Sequence, residues 1–318
     1  MWISRLLQIK RPYTPLLIVL LLMPITSLAR NVTLIYDDNS RYQTHFVNSL
    51  SNQLLSNTHV NLTTITTALL SIETLKKEPG DIIVNVNNDT IKKLIASNIP
   101  TTVFHALATL SRSISFAPCL PDCIKALPNH HFFILDQPPN RQLNLIQLIN
   151  PTFKDVGVLV TEQSKNQLMP LQKIASRKKL RIHEDVGNSK NVRYKIDAIS
   201  KSSDVILAIA DTNIYNATSL SQILLTSYRY RTPVIGFSKG FIRAGALAGT
   251  VSTIEQLAQH IAEAIVELSS SHKPLATSII HPKYFSVISN RNVAKSLHLH
   301  FPNDNELKEQ LMTYESIQ

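Results

Sequence analysis

Apolar residues in this chain fall into short continuous runs, and between the runs they recur every three or four positions. The stretch 204–250 shows the plan most fully. DVILAIAD is an apolar run opening on Asp204 and is followed by the polar elbow 211–216. A helix-periodic segment comes next, and Thr232-Pro-Val-Ile-Gly-Phe237 is a second run ending in the elbow 238–241. Two runs rich in Val and Ile that bracket a helical period predict a βαβ unit with buried parallel strands. An earlier copy of the plan leads from Asp81-Ile-Ile-Val-Asn-Val-Asn-Asn-Asp89 to Ile99-Pro-Thr-Thr-Val-Phe104. In both copies the first strand opens on Asp and the next on Pro, which a strand tolerates at its first residue.

The same alternation extends along the chain. Strands are expected at 31–36, 60–65, 101–104, 132–135, 155–160, 180–183 and 284–288, besides those opening at Asp81 and Asp204. Helical periods separate them at 46–55, 69–77, 91–95, 141–149, 164–174, 192–200 and 254–268. Asp89 can cap one helix, and Ser252-Thr-Ile-Glu255 has the form of a capping box before another. His105-Ala-Leu-Ala-Thr109 reads as the turn after its strand. Alternating strands and helices predict an α/β fold of two doubly wound, Rossmann-like lobes joined by a hinge. Ligands of such sheets lie beyond the carboxyl ends of the strands, so a cleft between the lobes is lined by elbows from both.

The boundaries follow from the punctuation. Residues 30–137 with 250–290 form the first lobe, and 138–249 form the second. Asp136-Gln-Pro-Pro-Asn140 is the point where the chain leaves the first lobe, and 291–318 is a charged, helix-prone C-terminal tail, peripheral to both. A length of 318 residues gives room for two cores, and 44% hydrophobic residues excludes a disordered chain. The first 29 residues stand apart. Arg5, Lys10 and Arg11 precede an apolar run from Leu16 to Ile25, and Ser27-Leu28-Ala29 offers small residues for cleavage, so 1–29 reads as a signal peptide directing the protein to the periplasm. Three basic residues leave with it, taking the net charge from +10 to +7. The remaining excess gathers at Arg177-Lys178-Lys179 with Arg181 and at Arg229 with Arg231, both read as solvated helix ends. No nucleic-acid module is visible.

Candidate chemistry is sparse. Cys119 and Cys123 are the two cysteines, and in an oxidising compartment they are placed to close a small disulfide. Metal binding would need further ligands, for which only His130 and His131 lie near. Gly236-Phe-Ser-Lys-Gly240 matches the nucleophile elbow of α/β-hydrolases. That elbow should feed a long helix, whereas 241–249 is short and carries two glycines, and no oxyanion-loop motif is present. The chain therefore reads as a binding protein without enzymatic activity, cofactor or metal.

Four stretches together carry a family resemblance: Asp136-Gln-Pro-Pro-Asn-Arg-Gln-Leu143, Lys154-Asp-Val-Gly-Val-Leu159, Thr232-Pro-Val-Ile-Gly-Phe-Ser238 with Arg243-Ala-Gly-Ala-Leu-Ala248, and Phe285 through Leu297. On these the chain resembles the substrate-binding components of ABC transporters, in the family related to tryptophan- and tyrosine-binding proteins with the type I periplasmic-binding fold. The resemblance implies two lobes joined by three crossings that close on a small polar or aromatic, amino-acid-like solute. It implies that Ser164 offers a hydroxyl and amide to an anion, that Asp211 accepts from an ammonium, and that Ser238 lines the floor. Tyr215 and Phe241 would supply stacking surface. Asn213 joins them from the second lobe, and Asp38, Asn39, Asn87, Asn88 and His105 are the first lobe's candidates. That lobe departs from the family pattern at its acidic first elbow, at Asn87-Asn88 and at His105 through Arg112. The implied partners are a small-molecule ligand and an ABC permease or other envelope membrane protein, with the chain monomeric. An envelope sensor or accessory interaction protein on the same fold is the alternative.

Overall fold

The computed structural model describes residues 30–57, 60–271 and 275–316, and the segment read as a signal peptide lies outside them. The chain first lays down β1 (Arg30–Tyr36), α1 (Arg41–Asn57), β2 (Val60–Thr66), α2 (Ile72–Lys77), β3 (Ile82–Asn85), α3 (Ile91–Ala96), β4 (Thr102–Ala108), α4 (Leu110–Phe116) and β5 (His130–Ile134). It then crosses into α5 (Pro139–Ile149), β6 (Asp155–Val160), α6 (Leu168–Arg177), β7 (Arg181–Val186), α7 (Val192–Lys201), β8 (Val205–Leu207), α8 (Leu220–Arg229), β9 (Val234–Ile235), α9 (Lys239–Ala244) and β10 (Ala248–Val251). A second crossing returns it to α10 (Ile254–Ser271) and β11 (Ile279–Ile280). A third leads to β12 (Ser286–Ser289), α11 (Arg291–Ser296) and α12 (Asp304–Ser316).

Among the described residues these strands form two sheets in the orders β11-β5-β4-β3-β1-β2 and β12-β10-β9-β8-β6-β7. All neighbours pair parallel except β12, which runs antiparallel to β10. This is the two-lobed type I periplasmic-binding fold. Buried parallel strands need apolar side chains on both faces, and Ile82, Ile83 and Val84 or Val205 and Ile206 supply them without alternation. In α1, Phe46, Leu50 and Leu54 recur every four residues and pack against Ala258, Ile261 and Ile265 of α10 in the first lobe's core. The two opening aspartates do the same work in each lobe. Asp81 accepts from the Asn31 amide at 2.7 Å, and Asp204 accepts from the amides of Lys154 and Asp155 at 2.7 and 2.9 Å, each fixing the start of its lobe's first strand.

Several expectations are corrected. The strand at 101–104 runs on to Ala108, so His105 lies inside β4 rather than in a turn. A register shift between Ala106 and Ala108, with Leu107 at φ 61°, is what lets the strand continue past that point. Asn87, not Asp89, provides the cap at its elbow by accepting from the Asp89 amide. The capping box sits one residue later than read: Thr253 and Gln256 bond each other's amides at 3.2 and 3.0 Å, which leaves Ser252 outside the helix. The late strand joins the second sheet rather than the first lobe. The tail is not peripheral, because Leu307 and Leu311 of α12 are buried in the second lobe's core beside Leu145 and Ile149. Strands β10 and β11 carry little strand signal: β11 has two residues, and β10 has Gly249 in its middle.

Candidate functional site

Each sheet reverses strand order once, between β1 and β3 in the first lobe and between β6 and β8 in the second. At such a reversal the helices leave to opposite faces and open a crevice at the carboxyl ends. The elbows there are 37–40 with 87–88, and 161–164 with 211–216. The two carboxyl edges face one another: the Ser111 hydroxyl, at the start of α4, donates to the Ala210 carbonyl after β8 at 3.1 Å. The candidate site is the cleft around that contact.

The second lobe's wall is built on Asp211, which is 2% exposed. Its Oδ2 accepts from the hydroxyls of Thr161 and Ser164, both at 2.6 Å, and its Oδ1 accepts from the Asn213 amide at 2.9 Å. Neutral donors alone fill these positions, so the negative charge beside the cleft is stabilised by dipoles. Ser164 is fully buried and its hydroxyl is committed to Asp211. Both residues thus support the elbow rather than present themselves to an incoming group. Asn213 and Thr212 stay exposed at its tip.

Next to this carboxylate, Tyr215, Phe237 and Phe241 form an aromatic cluster with ring centroids 5.2 to 5.8 Å apart. Tyr215 and Phe241 are buried in the lobe's core and do not offer a stacking face, while Phe237 is half-buried at the end of β9. Burial and the nearby Asp211 charge raise the Tyr215 phenol, whose hydroxyl has no hydrogen-bond partner. Ser238 is half-exposed, and its hydroxyl caps α9 by accepting from the Phe241 amide at 3.2 Å. Because α9 has six residues, the glycine-flanked serine sits on a cap and a short turn of helix rather than on a hydrolase elbow.

In the first lobe, Asp38 and Asn39 are exposed in the turn after β1, and Asn88 is half-buried with its Oδ1 unpartnered. Asn87 is buried and spent on its cap. His105 is fully buried and belongs to a polar row inside the lobe. Its Nδ1 meets Asn85 Nδ2 at 3.2 Å and its Nε2 meets His130 Nδ1 at 3.0 Å, with the Phe132 ring stacked on it. It is removed from the cleft because β4 runs on past it to Ala108. Cys119 and Cys123 are joined with Cα atoms 5.0 Å apart, and Cys123 packs in the cluster beneath α4. Sequence reasoning missed Ser111 and Phe237. The signal for Ser111 was Thr109, which caps α4 by accepting from the Arg112 amide and so marks the true end of β4.

A groove of about 570 Å³ lies between α1 and α10, lined by Gln53, Leu54, Ala262 and Val266, but it runs along helices and away from the strand tips. Among the described residues no helix is long and apolar enough to cross a membrane.

Two lobes, three crossings and facing strand tips define a protein class that holds ligands between its halves. The chain belongs to the ABC transporter substrate-binding protein family, whose model matches residues 136–310. Three solved structures share the fold. The ABC domain from Streptococcus pneumonia in complex with L-Trp is 16% identical, with a TM-score of 0.56 over 86% of this chain and 96% of that one. The ligand-free, open structure of CD0873, a substrate binding protein with adhesive properties from Clostridium difficile, is also 16% identical, with a TM-score of 0.64 over 87% and 97%. A conserved domain protein from Vibrio cholerae is 18% identical, with a TM-score of 0.54 over 86% and 96%. At such identities the likeness is one of fold. A comparison with curated protein sequences found no match.

Proposed function

We propose that this protein captures a small polar or aromatic, amino-acid-like solute between its lobes and presents it to an ABC-type importer on the outer side of the membrane. The observation that carries the reading is the pairing of Asp211, a buried carboxylate held by neutral donors, with the aromatic cluster that ends in half-buried Phe237. A solute with an ammonium group and an apolar body fits such a wall: the buried Asp211 charge attracts the ammonium from behind the elbow without touching it, exposed Thr212 and Asn213 make the contact, and the body lies against Phe237. Asn213, Thr212 and Ser238 supply polar contacts from the second lobe, and Asp38, Asn39 and Asn88 from the first.

Thermal unfolding against a panel of amino acids, small carboxylates and nucleosides tests this, because a ligand that binds only the native state raises the melting temperature. An amino acid or related amine should stabilise the protein, with L-tryptophan and L-tyrosine tried first. The effect should be lost in Asn213→Ala combined with Phe237→Ala. Stabilisation by none of the panel would sink the reading and favour the envelope sensor or interaction role.

A further inference from the structure

Three segments cross between the lobes, and one side chain ties them together. Arg141, on the first turn of α5, is 3% exposed. Its Nη1 donates to Gln137 Oε1 at 2.7 Å in the first crossing and to the Pro282 carbonyl at 2.9 Å in the third. Its Nε and Nη2 donate to the two carboxylate oxygens of Glu315, near the end of α12, at 2.5 and 2.7 Å. The guanidinium also lies 3.9 Å over the Phe285 ring. The second crossing joins through Gln137, whose Nε2 donates to the Ser252 hydroxyl at 3.0 Å, and that hydroxyl donates to the Tyr284 carbonyl at 2.6 Å. The relay is continuous from Glu315 to all three crossings.

The chemistry suits the task. A guanidinium presents its donors in a fixed plane, so a bidentate carboxylate on one edge dictates where the remaining N–H can point. A rotation of one lobe against the other changes backbone angles in all three crossings at once. Gln137, Ser252, Pro282 and Tyr284 then cannot keep their mutual distances unless the fork turns with them. The fork is held by Glu315, on a helix whose Leu307 and Leu311 are locked in the second lobe. His281 extends the tie, its Nδ1 meeting the Asp136 carbonyl at 2.8 Å, with burial keeping the ring neutral beside the arginine.

We propose that Arg141, clamped by Glu315, is a positioning residue that sets the angle between the lobes, so that the C-terminal helix is a working part of the hinge. Its bearing on ligand affinity rests on the reading of the lobes as closing on a solute, but the angle itself does not. The test therefore uses ligand-free protein. Spin labels at Arg41→Cys and Lys239→Cys, exposed at the start of α1 and α9 on the two carboxyl edges, report the interlobe distance by double electron–electron resonance. Arg141→Met should lengthen and broaden the distribution by more than the parent's own width, Glu315→Gln should do so by less, and Arg141→Lys should fall between. Arg181→Met, which removes an exposed ion pair remote from the crossings, should leave it unchanged. Glu315 is partly exposed, so its variant carries the test should Arg141→Met fail to fold. Distributions superimposable on the parent in folded Glu315→Gln and Arg141→Met would overturn the proposal, whatever happens to melting temperature. Failure to find a solute would leave this result standing.

Discussion

The Ser111 hydroxyl and the Ala210 carbonyl meet at 3.1 Å across the space between the two sheets. They lie 99 residues apart in sequence and in different lobes, so their bond forms only when the strand tips approach. A neutral hydrogen bond of this kind contributes about 1 kcal/mol, enough to change an equilibrium roughly fivefold. Ser111→Ala should shift ligand-free protein toward a more open form, seen as a larger radius of gyration in small-angle scattering. An unchanged radius would show that the contact follows closure without favouring it.

Asp211 accepts three hydrogen bonds, two of them from buried hydroxyls. Asp211→Ala takes the 2.6 Å acceptor from the Thr161 and Ser164 hydroxyls and leaves them only 3.4 Å contacts with each other and with the Thr161 carbonyl, and a buried donor so poorly paired costs about 1–3 kcal/mol. The urea midpoint should fall with the slope of the transition unchanged. Asp211→Asn keeps an acceptor and should recover much of the loss while still removing the charge. Equal destabilisation by both variants would argue against this account.

The buried histidines give stability a pH dependence whose sign can be worked out. Burial lowers His105 well below its ordinary value of 6.5, helped by repulsion from His130 and His131. It pushes His130 down to about 4 and lowers His131 against a bond to the Thr277 carbonyl. Between pH 6.5 and about 4 the unfolded chain binds protons at these rings that the folded chain refuses. Stability is therefore full above the unfolded value and falls as the solution is acidified through this window. Asp136 has the opposite sign. Burial raises it from 3.8 to about 6, so its contribution is present at low pH and lost as pH rises through 6. Burial also pushes His260 down to about 4 and lowers His281, so one aspartate opposes five histidines and the melting temperature should drop from pH 7 to pH 4.5. His130→Gln should make the decline shallower by up to about 1.4 kcal/mol per pH unit. A flat profile in the parent would contradict the assignment.

Leu311 is wholly buried between α12 and the second lobe's core. Leu311→Ala should cost about 2–5 kcal/mol, as for other large-to-small core changes. Chemical unfolding measures this directly, and a loss below about 0.5 kcal/mol, typical of a surface site, would return the helix to the status of an appendage.

The periodic parts of the fold were legible: the paired βαβ plan and the two lobes of alternating strands and helices follow from residue pattern. What escaped depended on contacts between distant segments. Strand β10 carries glycine where a strand signal wants a branched residue, and the reason is spatial. A Cβ on Gly249 would stand 2.1 Å from the Gly236 carbonyl, so the β9–β10 approach admits nothing larger. His105 looked like an elbow because its strand continues through an irregularity at Leu107. Tyr215 and Phe241 have the right chemistry for a ligand, but the core claimed them first. The hinge arginine carried no local signal, since its partners lie up to 174 residues away.

The path of the backbone also fixes the order in which each half can be completed as the chain folds. The first core waits for α10, and the second waits for Leu307 and Leu311, although most of its strands are made far earlier. Before α10 and α12 are in place, each half is missing a helix and keeps an apolar face uncovered. The later part of the chain completes both, so the halves mature together rather than in turn.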